Sequence, residues 1–120
     1  MGGGRKKRSA EATPPPPVVA APTIYEATLG AAGAVVRAQP PIDQAQAETL
    51  RQNGGEVVVC GPNLAANRAL AQMIEQNANG HWKRCPPHPN AGPHALPHYQ
   101  PDPRPPAGHT FYETPNRHAF

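Results

Sequence analysis

Between Asp43 and Gly80 the chain reads D-Q-A-Q-A-E-T-L-R-Q-N-G-G-E-V-V-V-C-G-P-N-L-A-A-N-R-A-L-A-Q-M-I-E-Q-N-A-N-G, and this stretch decides the fold because three structural signals follow one another in it. Asp43 stands where a helix N-cap belongs, and Gln46 three residues on completes a capping-box pattern. Ala47 and Leu50 then form a short apolar stripe that Asn53-Gly54-Gly55 closes. Glu56 to Cys60, followed by Gly61, is a continuous β-branched run suited to a central strand buried on both faces, so Val58 is expected in the core. Pro62-Asn63 turns the chain, Asn63 caps a second helix with Ala66, Leu70, Met73, Ile74 and Asn77 on its expected buried face, and Asn79-Gly80 ends it. One glycine after the strand does not make a phosphate loop, which also needs a second glycine and a lysine.

Toward the N-terminus the signals weaken. Thr23 to Gln39 carries apolar residues at Ile24, Leu29, Val35 and Val36 but also Gly30 and Gly33, and predicts a loose helix of small residues or a docking arm without fixed structure. Pro40-Pro41 is expected to break the chain. Residues 1–22 hold glycines, the basic cluster Arg5 to Arg8 and the proline run Pro14 to Pro17, and read as a disordered Gly/basic/Pro-rich leader ahead of one small domain over 23–120.

Toward the C-terminus, residues 81–120 read H-W-K-R-C-P-P-H-P-N-A-G-P-H-A-L-P-H-Y-Q-P-D-P-R-P-P-A-G-H-T-F-Y-E-T-P-N-R-H-A-F. All six histidines and ten of the eighteen prolines lie here, with the single Trp and both Phe. Solvated tails have little use for His and aromatics at such density, so the chemistry is expected in this segment. Ala95 to Gln100 and His109 to Glu113 read as two strands joined by P-D-P-R-P-P-A-G. Pairing Gln100 with His109 sets His98 opposite Phe111 and Leu96 opposite Glu113. Alternation then places His98, His109 and Glu113 on one face and Tyr99, Thr110 and Tyr112 on the other. Pro97 marks the first strand as an edge. The expected fold is a small α+β domain with two helices, one central strand and a C-terminal β-hairpin.

The formal charge of +3 divides as +3 over residues 1–23, −2 over 24–79 and +2 over the last forty residues, so the basic excess sits at the two ends. A weakly basic C-terminal face suits a phosphate backbone without requiring one. Cys60 and Cys85 are expected as reduced thiols. No apolar window is long enough to span a membrane, and Arg5 to Arg8 is not followed by the apolar region of a signal peptide.

Three readings of the His-rich segment stand side by side. Cys85-x-x-His88 with His94-x-x-x-His98 offers four ligands for zinc. Alternatively, His98 and His109 act as an acid and base pair without a cofactor, with Glu113 as orienter or alternative base, Tyr112 holding a base or the phosphate, and Arg104 or Arg117 on the phosphate. RNA supplies its own 2′-hydroxyl nucleophile, so these groups suffice to cleave it. In the third reading the histidines are exposed loop residues beside prolines.

The block A-G-P-H-A-L-P-H-Y-Q followed by P-A-G-H-T-F-Y resembles the C-terminal toxin modules of bacterial polymorphic toxin systems, such as those on Rhs-repeat, contact-dependent inhibition and swarming-inhibition proteins. The resemblance covers about residues 54–120. It implies a nuclease, most often an RNase, countered by a cognate immunity protein and either cytoplasmic or delivered into a neighbouring cell as part of a larger effector; no delivery domain precedes the module in this sequence. From a different class comes a non-enzymatic binding module whose Cys/His segment is ordered by metal or by a partner. Because the leader lacks the apolar area that offsets chain entropy, deleting residues 1–22 is expected to leave the melting temperature within about 2 °C in a calorimetric scan. A drop of about ten degrees would mean that the leader packs on the domain.

Overall fold

Asp43 begins a helix as expected: its carboxylate accepts from Gln46 N at 2.8 Å while the Gln46 side chain accepts from Asp43 N at 2.9 Å. The computed structural model describes residues 21–120, and the expected leader lies outside them except for Ala21 and Pro22. In chain order the elements are β1 (Thr23–Leu29), β2 (Val35–Ile42), α1 (Gln44–Gln52), β3 (Glu56–Cys60), α2 (Leu64–Asn79), β4 (Trp82–Cys85), β5 (His98–Pro101) and β6 (Thr110–Tyr112). The strands form one six-stranded mixed sheet in the order β2-β1-β3-β6-β5-β4. Only β3 and β6 run parallel, and the other neighbours are antiparallel.

This α+β architecture corrects the expectation of one central strand and a terminal hairpin. Residues 23–39 are neither helix nor unstructured arm, because β1 and β2 pair with each other and β1 also pairs with β3. Pro40 and Pro41 do not end that strand either. Proline is tolerated on β2 because an edge strand need not donate from every residue, and the register shifts opposite it between Ile24 and Glu26. At the other end β5 and β6 pair with His98 opposite Phe111 and Tyr99 opposite Thr110, yet both are interior strands. Pro97 stands just before β5, where its missing N–H removes no ladder bond, so it does not mark an edge.

Side-chain alternation divides the sheet into two faces. On one, Ile24, Val57, Val59, Tyr99 and Tyr112 pack against Ala47 of α1 and Ala71 and Ile74 of α2. On the other, Ala27, Val35, Val58, Cys60 and Phe111 pack beneath Leu96 and Ala119, which belong to non-helical segments. Val58 is fully buried. The buried stripe of α2 is Asn67, Ala71, Ile74 and Glu75, and Met73 is exposed. It differs from the apolar face expected because two polar side chains find partners inside: Asn67 donates to the carbonyls of Gly61 and Glu113, and Glu75 meets Arg51.

Arg51, on α1, has no solvent exposure, and neither has Glu75. Arg51 Nε lies 2.9 Å from Glu75 Oε1 and also donates to Thr110 Oγ1 at 3.2 Å, while one terminal nitrogen donates to Gly55 O at 2.7 Å and Ala107 O at 2.9 Å. Gly108, at φ +91°, passes this cluster so closely that a Cβ would come within 2.7 Å of the Gly54 and Gly55 carbonyl oxygens. Breaking a buried pair by removing one partner strands the other charge. Arg51→Met should therefore cost on the order of 3–5 kcal/mol in urea unfolding, and the double variant Arg51→Met/Glu75→Leu should recover part of it. An unchanged denaturation midpoint in the single variant would refute this account.

Candidate functional site

The start of β3 and the residue just before β6 are neighbours in the sheet, and their outward side chains, Glu56 and His109, meet. His109 Nδ1 lies 2.9 Å from Glu56 Oε1, and Arg104 donates to His109 Nε2 at 3.2 Å. With an arginine donating to Nε2, that nitrogen carries the lone pair and Nδ1 carries the proton that Glu56 accepts. Both side chains are about three-quarters covered. Burial alone would raise the Glu56 carboxyl, but the hydrogen bond and charge of His109, with Arg51 behind, hold it below the ordinary carboxylate range.

The His98 ring packs edge-on against His109 with centroids 4.6 Å apart, and the His88 ring lies 5.0 Å from that of His98. Phe111 closes the floor beneath both His98 and His109. A pocket of about 300 Å³ opens over this row, walled by the β1–β2 turn and the segment before β5, including Leu29, Gly33, Ala95 and Leu96. The two walls touch through Gly92, at φ +124°, where any Cβ would collide with the Ala32 backbone.

The structure thus brings His98 and His109 together on one face, in the pairing expected, but gives them unequal environments. His98 is 1% exposed, with Nε2 3.1 Å from Gln100 Oε1 and Nδ1 3.5 Å from Leu96 O. Burial, with the neighbouring His109 adding to it, pulls its titration from 6.5 down to about 4. The His98 imidazole is therefore held neutral at physiological pH.

Glu113 is not beside the histidine pair. Its carboxylate accepts from Gly61 N at 3.1 Å and Ala119 N at 2.8 Å, tying the C-terminal tail across the sheet at the far end of β3. Tyr112 faces the helices, where burial and then Tyr99 raise its phenol above the ordinary value and keep it protonated. Arg104 stands at His109, whereas Arg117 lies further along the same face and donates to the carbonyls of Pro93 and Ala95. Cys85 pairs with His98 across β4 and β5, and His94 packs against Phe120. Among the described residues no group of three or more His, Cys, Asp or Glu side chains converges as metal ligands. Both cysteines are free, and burial together with Glu113 pushes the Cys60 thiol up to about 12.

Sequence reasoning missed Glu56, which opens the valine strand and was given no role of its own. The available signal was alternation, since Val57 and Val59 facing the helices send Glu56 and Val58 to the opposite side. No family model matches this chain, and no curated protein or solved structure matches it either.

His98 generates a pH dependence of stability whose sign follows from linkage. Between about pH 6.5 and 4 the unfolded chain binds a proton at this imidazole that the folded chain refuses, so stability is present above that window and falls as pH falls through it. The loss reaches on the order of 3 kcal/mol and levels off below the folded value. Urea unfolding at pH 7.5, 6, 5 and 4 should show this decline in the parent and a shallower one in His98→Gln. Parallel slopes in the two proteins would mean that His98 titrates normally.

Proposed function

We propose that this chain is a metal-independent ribonuclease module of the polymorphic-toxin kind, with His109 as general base. The observation that carries the reading is the His109 imidazole held between Glu56 and Arg104 at the mouth of a pocket. In this reaction Nε2 takes the proton of a ribose 2′-hydroxyl, the 2′-oxygen attacks the adjacent phosphorus, and the P–O5′ bond breaks. Glu56 steadies the imidazolium that forms, and Arg104 swings from Nε2 to the phosphate oxygens, whose charge it stabilises. His88, exposed at the pocket rim beyond His98, returns a proton to the departing 5′-oxygen. The products are a 2′,3′-cyclic phosphate and a 5′-hydroxyl.

His98 has a different role from the acid or base expected of it. Buried and neutral, it wedges the His109 ring against Glu56 without adding charge. A cognate immunity protein, implied by the resemblance, would cover the pocket mouth, where Leu29 is exposed.

The test is incubation of purified protein with total RNA and with single-stranded DNA, each with and without chelator. RNA should be cleaved in both conditions and DNA, lacking the 2′-hydroxyl, in neither. His109→Ala should lose about 100-fold or more and Glu56→Gln about 10-fold, and His88→Ala should flatten the alkaline limb of a bell-shaped rate profile, because the acid must be charged and the base neutral. Cleavage abolished by chelator would replace the mechanism with a metal-dependent one. Absence of cleavage of either nucleic acid would leave the non-enzymatic binding module.

A further inference from the structure

The catalytic pocket does not end at His88. A second depression, lined by Pro87, His88, Gly92, Pro93 and Arg117, shares His88 with the first. A third, lined by residues that include His94, His118 and Phe120, shares Pro93 and Arg117 with the second. The three therefore adjoin one another over the sheet face that neither α1 nor α2 covers. No Asp or Glu side chain lines any of them, although acidic groups are present elsewhere on this face at Glu56 and Glu113. Arg117 spends one terminal nitrogen on the carbonyls of Pro93 and Ala95, and among the described residues its remaining donors have no protein partner.

The far end carries an aromatic whose backbone is fixed and whose ring is free. Phe120 N donates to Val35 O at 2.8 Å, the residue is 57% exposed, and His94 meets its ring edge-on with centroids 4.9 Å apart. A guanidinium set between depressions that end in an exposed ring suits a single strand, because a phosphate pairs with the charge and an unpaired base stacks on the ring. A duplex keeps its bases stacked on one another and has none to offer.

Resting on the ribonuclease reading, we infer that the three depressions are one binding groove for single-stranded RNA, in which the scissile nucleotide sits over His109, a neighbouring phosphate lies on Arg117, and a further base stacks on Phe120. The substrate class is therefore an unpaired oligonucleotide several residues long and not a dinucleotide.

The probes are fluorescein-labelled 2′-O-methyl oligouridylates of two and about eight nucleotides, which the protein cannot cleave, with a blunt duplex of the longer length as comparison. Binding is read by anisotropy at two salt concentrations. The longer single strand should bind at least about tenfold more tightly than the dinucleotide and than the duplex, with a steeper salt dependence than the dinucleotide. Phe120→Ala and His94→Ala should each remove at least about fivefold of the longer strand's affinity, whereas Met73→Ala, on the helix face, should not change it. Equal affinity for both lengths, equal affinity for the duplex, or insensitivity to Phe120→Ala would overturn the groove. If total RNA is cleaved in those cases, the ribonuclease reading survives the groove's failure. If no RNA is cleaved yet the long strand binds as described, the groove stands and the catalytic reading falls.

Discussion

The Arg51 guanidinium is the group on which the rest of this molecule depends, because it is a full charge with no solvent exposure at the junction of four chain segments. Burying a lone charge is prohibitive, so the fold exists only in arrangements that surround it with acceptors. Glu75 of α2 supplies the countercharge and Thr110 of β6 the hydroxyl. The carbonyls of Gly55 and Ala107 take the outer edge of the fork. Glu75 is satisfied in turn by the Thr110 hydroxyl at 2.9 Å and by Asn79 at 2.6 Å. Lysine, with a single ammonium point, could not reach partners on three sides at once, and the planar five-donor head of arginine can.

That clamp also sets the candidate site. Gly55 precedes Glu56, and Ala107 is two residues before His109, so one terminal nitrogen of Arg51 holds the approaches to both strands in register. Val57 N then donates to His109 O at 3.2 Å, which continues the pairing into the parallel β3–β6 ladder. Alternation does the rest: Thr110 and Val57 turn toward the helices, while His109 and Glu56 turn toward the pocket. The same strand pair therefore carries a buried polar cluster beneath it and a histidine–carboxylate pair above it. Side chains on the open face are positioned by charge buried under the other.

Local signals were legible wherever a few adjacent residues carry them. The Asp43 and Gln46 capping box, the Asn63 cap and the β-branched strand could be read from neighbours in sequence, and each holds in the structure. The pairing of His98 with Phe111 was legible too, because a hairpin register follows from the turn and the period of two. The β1–β2 hairpin was not, since its turn is built from Gly30, Ala31, Ala32 and Gly33 and its second strand carries two prolines. Such residues argue against a strand until the edge position explains them. Arg51 and Glu75 were hidden for another reason: charged residues read as solvent-facing, and only the fact that Glu75 shares the helix stripe of Asn67, Ala71 and Ile74 points inward. Glu113 was assigned to the histidines because alternation puts it on their face. Alternation fixes the side of the sheet and leaves the distance along the strand open, and Glu113 lies toward the end of the sheet where Gly61 and Ala119 claim it.

The unequal pair His98 and His109 carries one more physical consequence. Two imidazolium ions 4.6 Å apart would repel by on the order of 3–4 kcal/mol at the effective dielectric of a partly buried site. A site in which both rings ionised would suffer that penalty each time the second ring took a proton. Burying His98 against Phe111, with Gln100 as its acceptor, holds it neutral across the physiological range. A proton taken up by His109 would then meet no like charge in His98 and would have the Glu56 carboxylate hydrogen-bonded to Nδ1. Aromatic contact keeps the His109 ring in place through packing that is indifferent to pH above about 4. Histidine at position 98 contributes a buried, neutral ring to this contact, and the proposed mechanism therefore assigns the proton transfer to His109.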